Sequence, residues 1–315
     1  ILHVVDFVIE MLRKARDAGA DKVYLATTKE EGVRTLLFLD NGSGVPQDMQ
    51  ERIFDARVTS KLESMKMDRW GVHGRGMALF SIKQNTDEAR VVTSGVDLGS
   101  AFKVCVATDR LGERADQSSW PQAVKDEDGR YVCARGPHNI IRAACEFALE
   151  ELRCCDVYLG SPSEIAATLY AQASSRLDTS RLLFIDDECE LPVIDRLGLA
   201  SDAEDFIRIC SGLGLEMSER TAHRILSGQI KPVRGVTARL LRERDSTSHA
   251  PAPVDLAKDR RGLRIAKDDM AQFSRAVERD FNDLAARYYL NLCGDPKIRV
   301  SRDRITVTFD LAKEE

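Results

Sequence analysis

The stretch RTLLFLDNGSG, residues 34 to 44, decides the fold of this chain. Its first half is a short apolar run that is typical of a buried β-strand. The run ends in the pattern Asp40-x-Gly42-x-Gly44, which must turn because glycine and asparagine are the residues that tight turns favour. The sequence therefore places one carboxylate, Asp40, at the end of a buried strand. Taken alone, this pattern is just as typical of a plain turn.

Upstream of this stretch the sequence predicts a helix and a second strand. Apolar residues recur there at helical spacing, and they are Val4, Val5, Val8, Leu12 and Ala15. The segment Asp17-Ala18-Gly19-Ala20 ends the helix, because glycine is the usual residue just past a helix end. Residues 22 to 27 are rich in β-formers. We therefore expect a helix, two strands and a polar loop at the end of the sheet.

Downstream, further short motifs follow in a fixed order. Thr59-Ser60-Lys61 comes first, and a glycine-rich segment from Gly71 to Gly76 leads into a predicted helix near Met77. Backbone N–H groups at a helix N-terminus bind anions such as phosphate. Residues 89 to 108 then predict two strands joined at Asp97-Leu98-Gly99. Each motif is weak by itself, but their order and spacing make a specific pattern.

This series resembles the GHKL superfamily, whose members include DNA gyrase, MutL and histidine kinases, over residues 1 to about 108. Within the superfamily the resemblance is to the MutL branch. The matching segments are IEMLRKARDAGA (9–20), DNGSGV (40–45), ARVTSK (56–61) and RGMALFSI (75–82), while LGSAF (98–102) is similar to a strand of histidine kinases. The resemblance implies ATP or ADP as the ligand.

The resemblance also implies the fold class. We expect an α+β protein in which a two-layer α/β sandwich, the Bergerat ATP-binding fold, is followed by a helix-rich α/β C-terminal domain. The length of 315 residues is comfortable for two domains. Because the segment after residue 108 is polar and rich in turn residues, we place the ATP-binding domain at 1–112, a linker at 113–130 and the second domain at 131–315.

The resemblance assigns a nucleotide-binding role to a defined set of residues. Asp40 would accept the exocyclic N–H of adenine, Gly42 and Gly44 would let the backbone approach the base, and Ser100 would hold the same carboxylate or a bridging water. The glycine-rich segment would form a flexible lid over the phosphates. The remaining implied nucleotide-binding residues are Lys14, Thr59, Lys61, Gly71, Gly74, Arg75 and Gly76.

The first helix departs from the family pattern at one position. The family's general-base Glu falls on Glu10, but its magnesium-binding Asn falls on Lys14, four residues later and on the same helix face. An ammonium group cannot coordinate Mg²⁺, so the ion that usually accompanies ATP is in question. Three outcomes stay open, namely ATP binding with weak hydrolysis, a nucleotide-binding switch without turnover, and a site that no longer binds nucleotide.

In the second half, residues 203 to 228 resemble a helix-turn-helix with a recognition helix at about 218 to 227. Arg220, His223 and Arg224 would then enter the major groove of DNA. A basic cluster that follows would contact phosphates, and it comprises Lys231, Arg234, Arg239, Arg242 and Arg244. The alternative is an ordinary helical hairpin with a solvated basic face.

Composition limits the class of protein. The net charge of −5 argues against a protein that coats nucleic acid without specificity. No apolar run is long enough to span a membrane, and eight cysteines without metal-like spacing predict free thiols in the cytoplasm. Because Ile1 already lies inside the helical pattern, we expect the natural chain to begin before it.

These observations together predict a cytoplasmic, ATP-binding regulatory protein. In this hypothesis the nucleotide state controls a C-terminal interaction or DNA-binding domain. One alternative is a MutL-like or gyrase-like ATPase that acts on DNA. Another is a degenerate GHKL scaffold that binds protein partners, and the resemblance also allows a homodimer.

Overall fold

The structure is a computed structural model of the 315-residue chain. It describes residues 3–56, 66–68, 71–73, 78–152, 154–177, 185, 187–245, 267–285, 290–294, 296–300 and 305–313. The chain divides into two compact units, Ile1–Ser248 and His249–Glu315. Each unit is described by itself below.

The described helices are α1 (Val4–Asp17), α2 (Ala78–Asn85), α3 (Ile140–Glu150), α4 (Pro162–Arg176), α5 (Ala203–Gly212), α6 (Glu219–Leu226), α7 (Val236–Asp245) and α8 (Lys267–Ala285). The described strands are β1 (Lys22–Glu30), β2 (Val33–Asp40), β3 (Lys66–Asp68), β4 (Gly71–His73), β5 (Glu88–Gly95), β6 (Gly99–Ala107), β7 (Gln122–Lys125), β8 (Tyr131–Arg135), β9 (Asp156–Gly160), β10 (Leu290–Leu292), β11 (Lys297–Val300), β12 (Ile305–Thr308) and β13 (Leu311–Lys313).

A five-stranded mixed sheet forms the centre of the first unit, with the strand order β5-β6-β2-β1-β9. Neighbouring strands are antiparallel except β1 and β9, which are parallel. In this register Asp40 of β2 lies between Val23 of β1 and Ser100 of β6. The expected α+β class is confirmed, and the predicted strand pair at residues 89 to 108 is the β5–β6 hairpin.

Helix α1 forms where the apolar stripe predicts it. Its buried face includes Val4, Phe7, Val8 and Leu12, and it packs against α3 in the same hydrophobic cluster as the sheet. The helix ends at Ala18, and Gly19 follows with a φ of +78°, a conformation that glycine adopts without steric cost. The C-terminal end of α1 is thereby fixed beside the sheet.

Both faces of the sheet are buried by helices. Side chains alternate along a strand, so Val23 and Leu25 of β1 belong to the cluster that holds α1, α3 and α7. Tyr24 and Ala26 belong to a second cluster, which holds α4, α5 and α6. Burial on both faces makes the first unit a sheet between two helical layers, so the helices of the second half add a third layer to the expected two-layer sandwich.

This arrangement moves the domain boundary away from the predicted linker at 113–130. Strand β9, from the second half of the chain, pairs with β1 inside the central sheet. Within the predicted linker, Glu113 forms a bidentate ion pair with Arg34 of β2, with N–O distances of 2.8 and 3.0 Å. Most of this segment is exposed, but Glu113 ties its start to the central sheet, and the division between the two units falls after Ser248.

The second unit contains α8 and two short antiparallel strand pairs, β10 with β13 and β11 with β12. Helix α8 contacts β10, and the rings of Phe281 and Phe309 stack with their centroids 4.0 Å apart.

Candidate functional site

A row of polar side chains crosses the end of the sheet on the face that carries α1. Leu36 and Phe38 of β2 lie in the α1 cluster, so strand alternation places Asp40 on that face as well. Ser100 is the partner of Asp40 on β6, and Ser94 of β5 is the partner of Ser100. Three neighbouring strands thus present Asp40, Ser100 and Ser94 side by side.

Asp40 is the buried acid of this row. Its exposed fraction is 4%, and its Oδ1 accepts a 2.8 Å hydrogen bond from the backbone N–H of Gly42. Burial raises the pKa of Asp40 to about 6, although the hydrogen bond from Gly42 opposes the rise. Among the described residues, no side chain donates to this carboxylate. Such a group gains from any N–H donor that reaches it.

Ser94 and Ser100 form a hydroxyl pair beside Asp40. Their Oγ atoms are 2.9 Å apart, and the Oγ of Ser94 also accepts from the backbone N–H of Val45 at 2.7 Å. The hydroxyl of Ser100 therefore lies against Ser94 and makes no direct hydrogen bond to the carboxylate, which leaves the bridging water as the role that the resemblance offers it. Sequence reasoning missed Ser94, although a hairpin from Gly95 to Gly99 makes Ser94 and Ser100 cross-strand partners.

The glycines of the Asp40 loop are required by the backbone of the protein itself. Gly44 has a φ of +67°, and a Cβ on it would lie 1.8 Å from the carbonyl oxygen of Gly95. A Cβ on Gly42 would lie 2.9 Å from the Cβ of Ala18. These close approaches seat the loop between the end of α1 and the β5–β6 hairpin, which is a structural reason for the D-x-G-x-G pattern.

Helix α1 reaches the site through its C-terminal end, where the carbonyl oxygen of Ala18 accepts from the N–H of Ser43 at 2.9 Å. Lys14 and Glu10 lie one and two turns before this contact. Glu10 pairs with the buried Arg13 at 2.7 Å, and Lys14 is partly exposed. Glu10, Arg13 and Lys14 therefore lie on the helix that borders the Asp40 loop.

The other implied nucleotide-binding residues lie mainly outside the described part of the chain. This holds for Thr59, Lys61, Gly74, Arg75 and Gly76. Gly71, expected in a flexible lid, begins strand β4 and pairs with Asp68 of β3. Helix α2 is described from Ala78 onward, and the predicted start near Met77 lies outside the described residues.

Helices α5 and α6 form a helical hairpin in the segment that resembles a helix-turn-helix. Ser218 caps α6 by accepting a hydrogen bond from the N–H of Thr221. Ala222 and Ile225 are buried in the hydrophobic cluster on the second face of the sheet. Arg220, His223 and Arg224 are exposed on the opposite side. Among the described side chains, no carboxylate pairs with Arg220 or Arg224, while His223 lies 3.7 Å from Glu219.

The basic cluster predicted after this hairpin is divided. Lys231 and Arg234 are exposed, whereas the guanidinium of Arg239 stacks on the ring of Trp120 with Cζ 4.0 Å from the ring centroid. Arg239 is thus held inside the first unit and does not belong to an exposed phosphate-binding face. The side chains of Arg242 and Arg244 lie outside the description.

Three further observations bear on the expected environment. In the part of the chain that the structure describes, no helix combines the length and apolarity needed to cross a membrane. None of the described cysteines forms a disulfide. The described residues also contain no group of three or more side chains arranged to hold a metal ion.

Comparison with known proteins finds partial matches by sequence. The DNA mismatch repair protein MutL of Brucella abortus is 35% identical over 103 residues, which are 32% of this chain and 16% of the MutL chain. The MutL proteins of Brucella melitensis and Brucella suis match to the same extent. The matched region therefore spans about a sixth of the length of these relatives. No profile of a known protein family matches the sequence.

A solved structure is similar only at a low level. Full-length ShkA in complex with AMPPNP is 15% identical, with a TM-score of 0.26 over 73% of this chain and 48% of ShkA. A TM-score of this size does not establish a common arrangement of the two chains.

The mixed sheet packed with helices is consistent with a GHKL-type α+β sandwich. Over 103 residues the sequence is similar to MutL, which is a member of that superfamily.

Proposed function

We propose that this protein binds an adenine nucleotide, ATP or ADP, at the Asp40 end of the central sheet and acts as a nucleotide-dependent regulator. The observation that carries the proposal is the buried Asp40 carboxylate. Among the described residues, its hydrogen-bond donor is the backbone N–H of Gly42. Burial of an acid without a charged partner costs free energy that a ligand donor would recover. The exocyclic amino group of adenine is a donor of this kind.

The residues of the site fit such a ligand. Asp40 would accept the adenine N–H, and the hydroxyls of Ser94 and Ser100 lie beside it to orient a water or the base. Residues 42 and 44 of the Asp40 loop must be glycine, because a Cβ at either position would collide with a neighbouring element. Bound ATP would supply the phosphoanhydride group, and Glu10 is the carboxylate on α1 that would accept a proton from water.

Lys14 favours a switch over an efficient ATPase. It stands where the MutL branch has a magnesium ligand, and its ammonium would contact phosphate in place of the metal. Glu10 is also engaged in an ion pair with Arg13 at 2.7 Å. We therefore propose nucleotide binding with weak or no turnover, and Mg²⁺ as an ion that ATP carries rather than one that this helix ligates.

A regulatory role is favoured by the contacts that join the site to the second helical layer. The N–H of Asp97 donates to the carbonyl oxygen of Ser43 at 2.8 Å, which ties the Asp40 loop to the β5–β6 hairpin. On the other side of this hairpin, Arg196 is buried and its Nη1 donates to the Oγ1 of Thr93 at 2.9 Å. A ligand that orders the loop would thus act on residues that α5 and α6 pack against.

A second candidate function is DNA binding through α6. It is favoured by the exposed guanidinium groups of Arg220 and Arg224, which have no acidic partner among the described residues. A protein-binding surface at the same helix is the rival, and a homodimer and a cytoplasmic location remain parts of the proposal. The MutL relatives act in DNA mismatch repair according to their name, and only part of their length is matched.

Hydrogen exchange with mass spectrometry tests the regulatory proposal. We expect ADP to slow amide exchange at residues 41 to 45 and also at residues 191 to 199, which contact the hairpin from the second face. The Asp40→Asn variant should lose both effects together. Protection limited to residues 41 to 45 would contradict the coupling, while no protection anywhere would contradict nucleotide binding itself.

A further inference from the structure

A cavity of about 260 Å³ lies at the opposite end of the sheet from Asp40. Strand β2 begins beside it, where Arg34 lines the wall, and ends at Asp40. The charge of Arg34 is already matched by the bidentate pair with Glu113. The cavity is small compared with the ~300–1,000 Å³ of common ligand sites, so its occupant must be a small molecule.

Arg239 brings a fixed positive charge to this cavity. Its guanidinium stacks on Trp120, and its Nη1 donates to the carbonyl oxygen of Leu159 at 3.2 Å. In the described part of the chain, no carboxylate lies within ion-pair distance of Arg239. The stacking fixes the plane of the guanidinium, and the donors that remain are suited to a carboxylate.

Glu164 brings a fixed negative charge to the same cavity. Its Oε2 accepts from both the N–H and the hydroxyl of Ser161, each at 2.8 Å, in the capping box of α4. No cation of the described residues pairs with Glu164. These hydrogen bonds hold the carboxylate in place at the cavity wall without neutralising it.

We propose that this cavity binds a small zwitterion of the α-amino acid class. An Arg and a Glu that line one cavity without pairing are complementary to a ligand that carries both charges, with its carboxylate toward Arg239 and its ammonium toward Glu164. A phosphate-like dianion would be repelled by Glu164, and a simple amine by Arg239. Ile140, Ile141 and Leu159 supply the apolar wall for the ligand's side chain.

Isothermal titration calorimetry on the full chain tests this inference. The probes are the protein α-amino acids, and for leucine the two truncated analogues 4-methylpentanoate, which lacks the ammonium, and isoamylamine, which lacks the carboxylate. We expect at least one amino acid to bind, and its truncated analogues to bind about tenfold more weakly or not at all. Inorganic phosphate is the probe for an anion site.

Two variants assign the binding to this cavity. Glu164→Gln preserves the capping box, because Gln occupies the same position in such boxes, and it should weaken amino-acid binding about tenfold or more. Arg239→Gln should do the same, while Glu204→Gln, an exposed carboxylate that does not line the cavity, is the matched control. Binding that Glu164→Gln leaves unchanged, binding of phosphate in place of amino acids, or no binding by the folded wild type would each overturn the proposal.

Discussion

The backbone N–H of Val193 donates a 2.8 Å hydrogen bond to the carbonyl oxygen of Leu98. Leu98 lies in the hairpin that carries Ser94 and Ser100, and Val193 belongs to the hydrophobic cluster on the sheet's second face. The bond therefore joins the polar row at Asp40 to the layer that contains α5 and α6. It is a direct hydrogen-bonded connection between the candidate nucleotide site and the helical layer of α6.

The first prediction concerns the packing of the Asp40 loop against the β5–β6 hairpin. Gly44→Ala should lower the free energy of unfolding by more than about 3 kcal/mol, because the new Cβ would collide with the Gly95 carbonyl at a positive φ. Gly32→Ala is the matched control, since Gly32 also has a positive φ but nothing within 4 Å, and it should cost about 1 kcal/mol. Urea denaturation of both variants checks this. Equal losses would show that the loop is not seated as described.

The second prediction concerns the stability of the unliganded protein. The folded-state pKa of Asp40, about 6, lies above its ordinary value of 3.8, so folding favours the protonated form and ionisation destabilises the fold above pH 6. Asp40→Asn should therefore raise the free energy of unfolding at pH 7 by ~1–3 kcal/mol. As the pH falls from 6 to 4 the wild type gains this stability and the difference should disappear.

Chemical denaturation at several pH values measures this effect, and Asp48→Asn, a change at an exposed aspartate, is the matched control. The prediction would be contradicted if the wild type lost stability relative to Asp40→Asn as the pH falls. Such a loss would mean that the carboxylate is stabilised in the fold.

The third prediction concerns turnover. Lys14→Asn should increase Mg²⁺-dependent phosphate release from ATP, because it restores an oxygen ligand one helical turn from Glu10. Adding Glu10→Gln in the Lys14→Asn background should remove the gain. If turnover and Mg²⁺ affinity both stay unchanged in Lys14→Asn, then Lys14 does not occupy the metal-ligand position.

The fourth prediction concerns α6. If it reads DNA, Arg220→Ala should cost ~1–3 kcal/mol of binding free energy on one preferred sequence and little on others. Arg114→Ala, at an exposed arginine away from α6, should leave the affinity unchanged. Fluorescence anisotropy with a salt titration checks both variants. An absence of DNA binding at low ionic strength would leave α6 as a protein-interaction surface.

Local patterns made much of the fold predictable from the sequence. Helix α1 follows from its apolar stripe and from Gly19, and α6 follows from the Ser218 cap and the spacing of Ala222 and Ile225. These features depend on neighbours within one or two turns. For the same reason Asp40 could be placed at the end of a buried strand.

The features that escaped the sequence depend on distant contacts. Arg34 and Glu113 are 79 residues apart, so the polar segment that they anchor resembles a linker until the sheet is formed. The parallel pairing of β9 with β1 likewise joins remote segments and has no local pattern. At the site, Ser94 was missed because the bulge between Val91 and Thr93 shifts the alternation of β5.

The central claim is that Asp40 receives an adenine nucleotide, and calorimetric titration of ADP at pH 7 and pH 5 tests it most directly. Because the ionised carboxylate is a much stronger acceptor for the adenine N–H than the protonated acid, and the pKa of Asp40 is about 6, the wild type should bind up to about tenfold more weakly at pH 5 than at pH 7. Asp40→Asn should bind at least about tenfold more weakly than wild type at pH 7, since it loses a charge-assisted acceptor. Equal ADP affinity of wild type and Asp40→Asn at pH 7 would contradict the claim.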